Sequence, residues 1–188
     1  MLRIKYGYTK PGELRRHYLE SQDIEVLLGR LPPELWSRLR ADHFNDKARG
    51  NRCLGYVNRG RREIAICALP PRVSLARFQN RHSPRQFGEI RGYQWPERAV
   101  RRFLLYDVFL HELGHLQVID PKAHTERRRF ASETKAQEFA DEWRAGLWGK
   151  PFAHPDPIHN PPSAIELEML QCQMQLPAEC QCVSAVCD

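Results

Sequence analysis

His111-Glu112-Leu113-Gly114-His115 follows directly on the apolar run Phe103-Leu104-Leu105-Tyr106-Asp107-Val108-Phe109-Leu110. A run this apolar reads as the front half of a buried helix. At 3.6 residues per turn, His111 and His115 fall one turn apart on the same face, where two imidazoles can bind one metal ion. Glu112 stands beside them, and a carboxylate next to a metal-activated water can take its proton. Leaving these polar groups unpaired inside an apolar helix would be costly, and a metal would satisfy them together. The competing reading is a buried helix whose histidines are hydrogen-bonded core residues.

The expected metal helix runs from about Pro96 to Val118 and stops near Asp120-Pro121. Its middle is apolar nearly all round, which makes it the central helix of the fold. A second helix is expected from Ser132, a suitable N-cap, to Trp148, with Gly149 just past its end. Upstream, Leu54-Gly55-Tyr56-Val57 and Glu63-Ile64-Ala65-Ile66-Cys67-Ala68-Leu69 flank Asn58-Arg59-Gly60-Arg61 and read as a β-hairpin stopped by Pro70-Pro71. Two helices are expected in the first 50 residues, one near Glu13 to Glu20 and one starting at Pro32-Pro33, with Leu35, Trp36 and Leu39 facing inward. Arg81 to Pro96 reads as a long loop, and a last short helix spans Ser163 to Gln175.

A catalytic zinc has three protein ligands and one open position, so a third ligand is needed. Positions 118 and 121 hold Val118 and Pro121, which excludes the metzincin pattern and leaves His124, Glu126, Glu133 and Glu138 downstream. Ala136, Phe139, Ala140, Trp143 and Leu147 form the apolar stripe of the second helix. By helical phase Glu133 lies near that stripe, while Glu138 lies opposite it, as a solvated surface charge. A first-turn Glu133 is also what an ordinary helix N-terminus favours.

With His111-Glu112-Leu113-Gly114-His115 followed 18 positions later by Glu133-Thr134-Lys135-Ala136-Gln137-Glu138-Phe139-Ala140, the chain resembles the gluzincins, and most of all the small ImmA/IrrE type of zinc metallopeptidase. The resemblance covers about 35 residues, from one helix to the next. It implies that Glu133 is the third zinc ligand, that the fold is α+β, a zincin-like single domain with a small mixed sheet packed on a buried active-site helix, and that a peptide adds as a strand beside the cleft. The 63-to-69 segment is the expected docking strand if it lies at a sheet edge. The resemblance also places Asp or Asn four residues after the ligand Glu, to support a zinc-binding histidine; this chain has Gln137 there. Asp107, one turn before His111, is the substitute for orienting that ring, or else a buried residue paired with an arginine.

The expected function is therefore zinc-dependent peptide hydrolysis, with Zn2+ on His111, His115 and Glu133, and Glu112 as general base. The alternatives are a binding-only zincin-like domain with a regulatory or nucleic-acid role, and a zinc hydrolase of non-peptide substrates. Tyr93, His82, His124, His154 and His159 are loop residues that could reach the site and stabilise an oxyanion.

At 188 residues, with 41% hydrophobic and 28% charged content, the chain suits one globular domain, taken as residues 1–165, followed by a cysteine-rich tail, 166–188. It shows neither a signal-peptide pattern at Met1 nor a bilayer-spanning run, so a cytoplasmic location without a membrane partner is expected. The net charge of +6 comes mainly from arginine, clustered at Arg59-Gly60-Arg61-Arg62, Arg101-Arg102 and Arg127-Arg128-Arg129. A solvated arginine-rich surface is favoured over nucleic-acid binding, because no aromatic residues interleave the basic ones. Cys172, Cys180, Cys182 and Cys187 crowd the end of the chain without paired C-x-x-C spacing, so free thiols are expected there rather than a second metal site.

Overall fold

Gly55–Asn58 (β3) and Glu63–Cys67 (β4), the latter a continuous buried apolar run from Ile64 to Cys67, build the expected antiparallel hairpin. In the computed structural model, which describes residues 4–46, 53–71, 84–88, 95–117 and 126–175, β4 pairs on its other side with Ala41–Asn45 (β2) in parallel. Lys5–Tyr8 (β1) adds in parallel to β2, giving a four-stranded mixed sheet in the order β1-β2-β4-β3. The 63-to-69 strand is thus paired on both sides, so it is not the edge on which a peptide could dock; that edge belongs to β3.

The first helix lies later than Glu13 to Glu20. It is Ser21–Arg30 (α1), entered through Glu20, whose N–H donates to Asp23 Oδ2 at 2.9 Å. Ile24, Leu27, Leu28 and Leu31, at i, i+3, i+4 and i+7, are its buried stripe. Pro33–Trp36 (α2) is a single turn after Pro32, as a proline start favours.

The helix expected to carry the metal ligands is one continuous helical rod with a change of winding. Glu97–Phe103 (α3) passes into a π-helical stretch, Leu104–Phe109, and then into Leu110–Gln117 (α4). Leu104, Leu105, Tyr106, Phe109, Leu110 and Leu113 have no exposed surface, so the rod is the central element of the core. At Gly55 a Cβ would stand 2.8 Å from Val108 Cγ1 and 3.1 Å from the Ala65 carbonyl, so glycine is what lets β3 press against the rod.

Glu126–Trp148 (α5) crosses α4, and Ala164–Gln175 (α6) follows a 3-10 turn at Pro157–His159. Arg102, 1% exposed, clamps the start of α6 with paired bonds to Glu166, 2.6 and 2.9 Å, and donates to the carbonyls of Asn160 and Pro157 at 3.0 Å each. The architecture is α+β. Among the described residues, no helix is long and apolar enough to cross a membrane.

Candidate metal centre

α4 and α5 approach closely because two small residues meet where they cross. A Cβ on Gly114 would sit 2.9 Å from the Ala136 carbonyl oxygen and 3.0 Å from Ala136 Cα. The Gly of His-Glu-Leu-Gly-His therefore sets the helix separation that brings Glu133 over the two histidines.

α5 begins at Glu126, not at Ser132, so Glu133 lies two turns into the helix rather than in its first turn. The macrodipole fades within one turn and does not account for a carboxylate there. Ser132 is a buried interior residue instead of a cap. The buried stripe of α5 includes Ser132, Ala136, Ala140, Arg144 and Leu147, one side of which carries Glu133 toward α4.

His111 Nε2 stands 3.2 Å from Glu133 Oε2 and His115 Nε2 stands 3.4 Å from Glu133 Oε1, with the two rings 4.8 Å apart and nearly perpendicular. One donor atom from each of the three residues lies within 4.8 Å of the others. Two imidazole nitrogens and a carboxylate, all turned to one point, are the donor set that a catalytic zinc takes.

The far side of each ring is held as well. His111 Nδ1 meets Gln137 Oε1 at 3.0 Å, and the Gln137 amide donates to Asp107 Oδ1 and Asp141 Oδ1 at 3.1 Å each. Arg144 then binds both carboxylates, Asp107 at 2.9 Å and Asp141 at 2.7 Å. Of the two roles open to Asp107, the arginine pair is present, and its link to His111 runs through Gln137. His115 Nδ1 lies 3.3 Å from Ser132 Oγ, which accepts from Arg59 at 3.0 Å.

Glu112 is buried, and the Val57 N–H at the outer edge of β3 is turned toward its carboxylate. The bond from Cys67 N–H to the Leu54 carbonyl, 2.8 Å, sets the ladder's alternation, so Gly55 and Val57 turn their amides away from β4. Burial raises the Glu112 carboxyl above its ordinary range, against the pull of His111 and His115. Hydrogen bonds from His111 and His115 hold the Glu133 carboxyl far below that range. For His111 burial opposes protonation, but Glu133, Glu112 and Gln137 outweigh it and raise the ring's pKa.

Other expected residues do not join this group. Glu138 is exposed, as its phase required. His154 and His159 pack on each other, with ring centroids 4.4 Å apart, beside Phe152 and Tyr106. His82, Tyr93, His124 and residues 176–188 with Cys180, Cys182 and Cys187 lie outside the described residues, as do the side chains of Glu126 and Cys172. Sequence reasoning missed Ser132, Asp141, Arg144 and Arg59. Gln137, Asp141 and Arg144, at i, i+4 and i+7, form a polar stripe that the i, i+4 rule makes readable; Arg59 comes from a distant turn and carries no local signal. Set against known proteins, the chain matches no family model, no curated protein and no solved structure.

Proposed function

We propose that the chain is a zinc-dependent peptidase of gluzincin-like, zincin-type architecture, in which His111, His115 and Glu133 hold Zn2+. The observation that carries this reading is the convergence of three donor groups from two helices, with a fourth, buried carboxylate on the adjacent position of α4. A zinc ion bound there would supply Lewis acidity, polarising a substrate carbonyl and making water a nucleophile near neutral pH.

The chain's own groups divide the remaining work. Glu112 takes the proton of the attacking water and returns it to the leaving amine, and its burial raises its basicity for that task. The Val57 N–H fixes the carboxylate against the edge of β3. The outward amide of Gly55 and the outward carbonyls of Gly55 and Val57 offer an extended peptide a strand to pair with, which brings its backbone past Glu112. Gln137 and Ser132 hold the rings from behind.

Elemental analysis of the purified protein tests the metal. One zinc per chain is expected in the wild type, lost in Glu133→Ala and kept when Cys172, Cys180, Cys182 and Cys187 are all replaced. Glu112→Gln should keep zinc and lose peptide hydrolysis. Zinc retained in Glu133→Ala, or hydrolysis at the wild-type rate in Glu112→Gln, would overturn the assignment.

A further inference from the structure

The arginines fall into two populations. Arg15, Arg16, Arg98, Arg101, Arg102 and Arg144 each face a carboxylate. A second set lines one end of the sheet, where β1, β2 and β4 begin and β3 ends. Backbone bonds tie its members in a row: Lys5 N–H to the Arg40 carbonyl at 3.1 Å, Arg40 N–H to Arg62 at 2.8 Å, and Arg62 N–H to Arg59 at 3.3 Å. Arg61 sits in the same turn, its N–H held by Asn58 Oδ1 at 3.2 Å. All five side chains are exposed, and among the described residues none forms an ion pair. The one acidic residue in that end row of the sheet is Glu63.

We infer that this row is a docking surface for an acidic segment of a polypeptide substrate, leading toward the His111, His115 and Glu133 cluster. The inference rests on the peptidase reading and names the class of substrate. Neighbouring strands stand about 5 Å apart, so the row sets cations at close, regular spacing across the sheet end. Such a concentration of one sign attracts and orients a chain of the opposite sign. Arg59 follows directly on the edge strand β3 and reaches Ser132, which touches His115, so the row joins the proposed substrate strand to the metal centre. A single-stranded nucleic acid would need aromatic platforms for its bases. Among the described residues, the exposed large apolar side chains are Tyr8, Leu14, Ile165 and Met169, and Tyr8 lies at the opposite end of β1 from Lys5.

The test uses the full chain carrying Glu112→Gln, so that no probe is cut, and reads fluorescence anisotropy with labelled oligo-glutamate, oligo-glutamine of equal length and oligothymidylate of matched charge. Oligo-glutamate should bind tightest, with affinity falling as salt rises. Adding Arg40→Gln, Arg61→Gln and Arg62→Gln should weaken it about tenfold, or about 1.4 kcal/mol, as the loss of three weak exposed contacts would. A control with the same charge change, Lys10→Gln, Arg85→Gln and Lys150→Gln, should shift it less than about twofold. Equal losses in both triple variants, or oligo-glutamate bound no better than oligo-glutamine, would reduce the row to net charge and overturn the inference. Tighter binding of oligothymidylate would overturn it in favour of a nucleic-acid surface. Binding needs no hydrolysis, so a row that works in a chain that holds no zinc would sink the peptidase reading alone.

Discussion

Asp107 and Asp42 are both aspartates inside the protein, 7% and 0% exposed, and they survive there by different means. Asp107 on the π-helical stretch receives Arg144 and Gln137 and so belongs to the scaffold of the proposed metal centre. Asp42 on β2 lies between Tyr6 and Ile64 in the sheet register, and among the described residues neither of its oxygens has a hydrogen-bond partner. The His43 amide leans toward it, and Glu63 adds a like charge, but burial dominates and pushes its pKa up to about 7. One acid is compensated by a guanidinium. The other lowers its cost by keeping its proton, because an uncompensated buried carboxylate is more expensive than a neutral carboxyl. Burial alone therefore does not identify a working polar group; its partners do.

Breaking the compensated side should have the largest effect. Arg144→Met would leave Asp107 and Asp141 facing each other across Gln137 without the Arg144 guanidinium, and removing one partner of a buried pair costs about 3–5 kcal/mol. Urea unfolding measures this, and a loss under about 1 kcal/mol would mean that water already compensates these carboxylates.

Asp42 sharpens the comparison through pH. At low pH its carboxyl is protonated in both the folded and the unfolded chain, so it has no effect on their balance. As pH rises, the unfolded chain ionises first, at the ordinary value of 3.8, while the folded chain keeps its proton to about 7. Stability is therefore lost between about pH 4 and pH 7, by on the order of 4 kcal/mol at most. Asp42→Asn should remove that part of the slope and be more stable than wild type at pH 8. Parallel stability curves for the two proteins would show that Asp42 ionises normally.

The same contrast explains what could be read from the sequence. The His111–His115 helix and the hairpin were legible because their signals are local: histidines at i and i+4, and apolar runs on both sides of an Arg-Gly-Arg turn. β1 and β2 were not, since β2 carries Asp42 at a core position and β1 is half exposed, which removes the apolar pattern that marks a strand. The helix expected at Glu13 to Glu20 failed for a non-local reason. Leu14 is 78% exposed, and the Arg16 backbone bonds both ways to Leu69, so this segment is spent on tying the sheet to its exit. The start of α5 was misplaced by six residues because Glu126-Arg127-Arg128-Arg129-Phe130-Ala131 has no apolar period, while Ser132 looks like a cap. Helical phase nonetheless turned Glu133 the right way and Glu138 outward, since phase does not depend on where a helix begins.

The smallest of the three effects lies at the join between the compensated aspartate and the metal centre. Asp107 and Asp141 meet Gln137 as acceptors, so its NH2 group belongs to them and its carbonyl must face His111. A carbonyl can only accept, so His111 Nδ1 carries a proton and Nε2 is the nitrogen that faces Glu133. The carboxylates thus set a ring tautomer they do not touch. Gln137→Met keeps the length and volume of the side chain but removes this control, and zinc affinity measured by chelator competition should fall about 10–100-fold with the fold intact. An unchanged affinity would mean that packing alone orients His111. The polar chain from Arg144 to the ring would then act on stability only, and Asp107 would differ from Asp42 in its means of compensation but not in its function.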